Sequence, residues 1–339
     1  MLSVAVLLVA AVSLPQFPQR QCARLHTPTT LAENTRRIQA ALDAAPGTAD
    51  AKGCVSVGPG DWPVKGVTVR SNTTLLIVPG ARLVSKINVT ATAVVNVDKA
   101  QHVEIGGGGG IHGHAEEAWS YFSDKDARMA PVAVDGSMSR PHTLLITDSR
   151  DVHVHHIFLH NSTDWTFRMD TSHDIFVDSV DIYVRPNASL LVCSTPSCTP
   201  RPPRRHPLSH VQGDERFPNN DGFDPESCTN VTLVNSAISV ADDGICPKAN
   251  AAPLIGLTVR NTTIRSRSVR NSGWNFRGNL TDILRYFSLF DGHFRQGAIK
   301  FGSNTGPGTM RDILFDNITI WSSNGGMKIQ GRGGVRNSD

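Results

Sequence analysis

The sequence predicts an all-β chain wound as a single-stranded parallel β-helix, and three observations carry that prediction. First, short apolar patterns of period two recur behind Asp, Asn or Gly turn residues: Asp151-Val152-His153-Val154, Asp174-Ile175-Phe176-Val177, Asn230-Val231-Thr232-Leu233, Gly256-Leu257-Thr258-Val259 and Asp312-Ile313-Leu314-Phe315. Alternation of this kind reads as short, half-buried strands. Second, the first apolar anchors are Val152, Ile175, Val231, Leu257 and Ile313, and the steps between them alternate short and long. A solenoid coil of roughly 23–28 residues fits the two short steps. Third, each long step contains a segment unlike the rest, and setting those segments aside restores the period.

The first segment is 184–212, 29 residues with six of the 20 prolines, two cysteines, four arginines and no acid. The second is 269–296, of nearly the same length and without a period-two pattern. Discounting them brings both long steps back to the length of one coil. Both begin Val-Arg, end in Gln and precede a Gly. A Val codon begins with GT and a Gln codon can be CAG, the two ends of an intron, so both segments read as retained introns. Surface loops are the competing reading. Residues 335–339 read in the same way as an aberrant end, leaving 15–334 as the interrupted β-helix domain.

The N-terminus, 1–14, is almost wholly apolar, too short to span a bilayer, and reads as a secretory signal. Six cysteines and eight Asn-x-Ser/Thr sequons agree with a secreted, extracellular protein. Without the two segments, Cys22 with Cys54 and Cys228 with Cys246 is the simplest pairing.

Composition narrows the class further. Apolar residues make up 39% and aromatics 6%, with 29 Gly and 20 Pro, which excludes a coiled coil and suits a turn-rich β protein. The net charge of +3 comes without a basic run, so no nucleic-acid partner is expected. The two segments carry +4 and +2, so the remaining chain is mildly acidic at −3. No later segment reaches membrane-spanning length.

The chemistry concentrates in Asn219-Asn220-Asp221-Gly222-Phe223-Asp224 and Ala241-Asp242-Asp243-Gly244. Asp221 and Asp242 are about one coil apart, and coils stack at roughly 4.8 Å. The carboxylates of both motifs therefore share one face, where mutual repulsion raises at least one pKa. A protonated acid beside ionised carboxylates is the equipment for glycosidic cleavage. Turn aspartates and a calcium site are the other readings of the same cluster. Gly106–Gly110 and His112-Gly113-His114 read as turns; His153, His155 and His156 read as outward surface histidines, and Lys248 as a solvated lysine.

These motifs resemble the polygalacturonase family of glycosidases, glycoside hydrolase family 28, in Asn219-x-Asp221, Gly222-Phe223-Asp224 and Asp242-Asp243. Asn34-Thr35 to Ala41, Arg140-Pro141, Asn161-Ser162 and Trp165 extend the resemblance over most of the chain. It implies a right-handed helix of the pectin-lyase-like kind, acting without a metal or other cofactor. It also implies inverting hydrolysis of α-1,4-galacturonosyl linkages in pectin by a monomer. Asp242 would be the general acid, with Asp221 and Asp243 positioning water, and Asn219 would contact substrate. The family's histidine position is Gly297, and His293 lies four residues earlier; its Arg-Ile-Lys appears as Lys328-Ile329-Gln330. Lys328 and Lys300 are the cations left to hold a uronate. The competing functions are a catalytically impaired carbohydrate-binding β-helix, a hydrolase of another pectic sugar, and a pectate-lyase-like eliminase.

Overall fold

A computed structural model describes residues 21–86, 91–115, 140–184, 219–266, 275–278, 297–302, 305–321, 323 and 325–330. The chain winds as a parallel β-helix whose interior is three stacks of inward-pointing side chains. The first stack runs Val55, Leu75, Ile105, Val154, Val177, Leu233, Val259 and Phe315, each in register with the next. The second runs Trp62, Leu83, Ile111, Leu159, Ile182, Ile238, Ile264 and Ile320. The third runs Val67, Val95, Leu144, Phe167, Phe223, Ile245, Ile299 and Met327. Every one of these side chains is buried. Burying such side chains contributes about 1.5–3 kcal/mol each, which fixes the register, because a one-residue slip would turn every one outward.

The anchors read from sequence lie in adjacent strands as the repeat predicts. Ile175 pairs with Val231 and Leu257 with Ile313, so each long step is one coil. The structure adds a third long step that the pattern does not show. Val103 pairs with Val152, and residues 116–139 of that coil lie outside the described residues. Most of 184–212 and 269–296 also lies outside them, as do the signal, Cys193, Cys198, His293 and 335–339. The second segment does contain a strand that the sequence pattern does not suggest. Asn275–Gly278 runs antiparallel to 318–321, the one antiparallel pairing among the described residues.

Bends between strands and within the long ones are made by polar residues in the left-handed region. Asn235, Asn261 and Asn317 have φ of 53°, 49° and 52°. Asn317 Nδ2 donates to Asn261 Oδ1 at 2.8 Å, Asn261 to Asn235 at 3.2 Å, and Asn235 to Asp178 at 2.9 Å. Asn tolerates this backbone, and its side-chain amide ties one bend to the bend below.

One helix, Leu31–Ala44, covers the first coil. Thr30 caps it by accepting the Glu33 N–H, and Ile38 and Leu42 are buried beneath it. Cys22 and Cys54 form a disulfide, as expected. Cys228 and Cys246 do not pair; both are free and buried. Their strands explain it. Phe223 pairs with Ile245 and Glu226 with Lys248, so Cys246 stands opposite Asp224 and Cys228 lies four residues farther along.

The histidines also depart from expectation. His155 is buried, with Nε2 3.2 Å from Glu104 Oε1, and burial lowers the pKa of its neighbour His153 to about 4. The strand Arg150–His160 is bent at Asp151 and His156, both with positive φ, which breaks simple alternation and turns His155 toward Glu104.

Candidate active site

The acidic cluster lies just before the third stack. Thr166 N–H donates to Asp221 O, Gly222 N–H to Asp243 O, Gly244 N–H to Gly297 O, and Ala298 N–H to Gly325 O. Asp221, Asp243, Gly297 and Gly325 therefore occupy one position on successive coils. The register partner of Asp221 is thus Asp243, and Asp242 stands just before it in the chain. Gly222 and Gly244 make this stacking possible. A Cβ at either would lie 2.4 or 2.5 Å from the carbonyl oxygen of the next coil.

One oxygen from each of Asp221, Asp242 and Asp243 lies within 4.8 Å of the others. That is closer than the roughly 6.5–9.5 Å separation of carboxyl groups in inverting glycosidases, so this distance does not by itself select inversion. Asp221 and Asp243 are 5% and 1% exposed, whereas Asp242 is the most exposed of the three. Burial, with Asp224, Asp242 and Asp243 around it, pushes the Asp221 carboxyl well above the usual range. Burial and Asp242 lift Asp243 to about 7, against the opposing effect of Lys300. Asp242 is held by backbone: Asn219 N–H donates to Oδ2 at 2.9 Å and Asp243 N–H to Oδ1 at 3.0 Å.

The two lysines named from sequence have different surroundings. Lys300 is 5% exposed, and its Nζ donates to Asp243 Oδ2 at 2.7 Å. It is an internal partner of the cluster. Lys328 is in register with Lys300 on the neighbouring strand, farther along the same face. Asn219 is exposed, and its Oδ1 accepts from Arg140 Nη1 at 3.3 Å. Its side chain supports Arg140, while its backbone supports Asp242.

A second buried pair lies beside Asp221. Lys248 is wholly buried, and its Nζ forms an ion pair with Asp224 and lies 4.1 Å from the centroid of the Trp165 ring. Asp224 still rises to about 6, because burial outweighs the ammonium. Asp224 Oδ2 has no fixed donor, and the Asp221 carboxyl, raised by burial, is the group beside it. The expectation of a solvated Lys248 is thus overturned: the chain folds its ammonium between Asp224 and an aromatic face. Arg168 extends this network, with Nη2 bonded to Asp170 at 3.1 Å and to Glu226 at 3.0 Å.

Sequence reasoning missed Arg168 and Glu226 and misplaced Lys248. Lys248 follows Asp224 at the spacing of one coil, and that spacing was the available signal. The oxygens of Asp221, Asp242 and Asp243, or of Asp221 and Asp224 with Cys246 Sγ, are the groups that could ligate a metal. An ammonium already counters the charge in each set, on Asp243 in the first and on Asp224 in the second.

The arrangement can do acid–base work: the Asp221 and Asp243 carboxyls, both raised by burial, lie beside Asp242, the most exposed of the three. The family model for glycosyl hydrolases family 28 matches residues 57–263. A polygalacturonase from Erwinia carotovora ssp. carotovora is similar in structure, with a TM-score of 0.59 at 17% identity over 90% of this chain and 71% of that one. A hyperthermoactive exopolygalacturonase from Thermotoga maritima gives 0.56 at 17% identity, covering 93% and 69%. An endo-xylogalacturonan hydrolase from Aspergillus tubingensis gives 0.55 at 13%, covering 89% and 74%. No curated protein matches the chain by sequence. The structural likenesses establish the right-handed parallel β-helix.

Proposed function

The chain belongs to the glycosyl hydrolases of family 28, and from that premise we propose that it hydrolyses α-1,4-galacturonosyl linkages in pectin. The observation that carries the proposal is the juxtaposition of Asp221, Asp242 and Asp243, with oxygens within 4.8 Å. Carboxyls this close titrate as a unit, so the cluster holds shared protons near neutrality. Asp242, the most exposed member, presents a proton to the glycosidic oxygen as general acid. Asp221 and Asp243 position the attacking water, and Asp243 in its ionised form takes its proton, on the side away from the leaving oxygen.

Attack from that side inverts the anomeric carbon, so the first-formed product is the β-anomer. Proton NMR of the early product distinguishes this from retention. Release of reducing ends from polygalacturonate tests the activity itself, and products absorbing in the ultraviolet would instead indicate an eliminase.

Secretion and action outside the cell belong to the same proposal. The sequon residues Asn230, Asn261 and Asn317 are exposed, which supports it, and no helix among the described residues is long and apolar enough to cross a membrane. A second reading, a β-helix that binds pectin with impaired turnover, is favoured by Gly297 at the position where the resemblance expects a histidine. Binding of polygalacturonate without product release would select it.

A further inference from the structure

Asp243 is gripped on both oxygens by one short stretch of chain. Gly297 N–H donates to Oδ1 at 2.8 Å and Lys300 Nζ to Oδ2 at 2.7 Å. That stretch is itself fixed. Ala298 and Ile299 donate to Gly325 O and Gly326 O at 2.8 and 2.9 Å, and Lys300 N–H donates to Ile245 O at 2.8 Å. The ammonium is therefore tied to a backbone anchored two residues beyond Asp243 and aimed back at it.

Among the described residues, other charged and titratable groups stand around Asp243 on neighbouring coils. Asp242 shares its turn, Lys248 lies farther along its own coil, and Asp221 and Asp224 lie on the preceding one. Cys246 Sγ is 3.9 Å from Oδ2, and Lys328 is in register with Lys300 on the following coil. Among the described residues, Lys300 Nζ forms the ion pair with Asp243. Position 297 supplies no side chain to compete with it. A Cβ there would stand 3.3 Å from Ile299 O and 3.5 Å from Lys328 Cβ.

We infer that Lys300 is a positioning residue, which orients the Asp243 carboxylate toward water and keeps it ionised rather than gripping the substrate's uronate. The inference rests on the reading of Asp243 as a participant in hydrolysis. Its physical basis is the buried pair: without the ammonium, Asp243 keeps a single backbone donor while Asp242 continues to repel its charge. Its carboxyl then takes a proton at higher pH and its orientation is no longer fixed.

The test compares Lys300→Met and Lys300→Gln with the full-length wild type, measuring kcat and KM across pH on polygalacturonate and on its methyl ester. The expected result is a fall in kcat of about 100-fold or more, in the range of lost acid–base function. The acid limb moves up by about one pH unit or more, as loss of a close opposite charge requires. KM stays within about threefold, and the loss is equal on the charged and the neutral polymer. A rise in KM alone, confined to polygalacturonate, would make Lys300 a substrate cation and overturn the inference. An unchanged kcat and pH profile would overturn it too. Lys300→Gln keeps polarity without charge, so the comparison stands even where Lys300→Met does not fold. Asp243→Asn is the parallel control: wild-type turnover there refutes the role of Asp243 itself, whatever Lys300 does.

Discussion

Ile175 and Val231 flank the whole of 184–212 in the chain and stand directly opposite each other on neighbouring strands. Leu257 and Ile313 repeat the relationship across 269–296. The helix thus closes its register across both unusual segments without their residues as spacers, although Val184, the first residue of 184–212, is itself buried in the core.

That register predicts that a chain lacking 184–212 and 269–296 keeps the β-helix. Closing shorter loops changes the entropy term by about 1 kcal/mol or less per loop, small against the core. Circular dichroism and a melting curve check it, with the strand signature retained. Loss of cooperative melting would show that the segments belong to the fold, Asn275–Gly278 being the contact at stake.

Asp221→Asn, Asp242→Asn and Asp243→Asn are each expected to lower hydrolysis by about 10²–10⁴-fold, the usual size of an acid–base contribution. The measurement is initial-rate release of reducing ends. Because the three carboxyls act as a unit, the double variants should lose little beyond the singles.

Lys248→Met leaves the Asp224 carboxyl buried without its cation. Breaking one side of a buried pair costs about 3–5 kcal/mol, read from urea unfolding. Lys248→Met combined with Asp224→Leu should recover most of that loss. A single variant as stable as wild type would contradict the buried pair.

Asp181 lies beyond the site, and burial raises its pKa to about 6. The folded state therefore holds this proton more tightly than the unfolded chain does. Its stabilising contribution is present at pH 4 and is lost as pH rises through about 6. Asp181→Asn should raise the melting temperature at pH 7 relative to wild type and leave it nearly unchanged at pH 4. Allowing for its partial exposure, the gain is roughly 1–2 kcal/mol.

How far these features were legible in the sequence depended on whether they obey the period. Val152, Ile175, Val231, Leu257 and Ile313 announce the helix because the coil repeat forces like residues into like positions. Motif and spacing bring Asp221, Asp242 and Asp243 to one place, where their oxygens do cluster, although the coil partner of Asp221 is Asp243 and not Asp242. Lys248 and Lys300 were not readable as buried ion-pair partners. A lysine's exposure is set by what the neighbouring coils place around it, here Asp224 with Trp165, and Asp243. The Cys228–Cys246 pairing failed for a related reason. Sequence separation close to a coil length does not supply the position along the strand, and the two thiols are four residues out of register.

The pH dependence of kcat on polygalacturonate is the most direct test of the proposed chemistry, because Asp243 must be ionised to activate water. With its pKa at about 7, the ionised fraction of Asp243 grows as pH passes through that value and turnover should rise with it, and Asp243→Asn should abolish that rise. No release of reducing ends at any pH, or an undiminished rate in Asp243→Asn, would contradict a glycosidase centred on Asp221, Asp242 and Asp243.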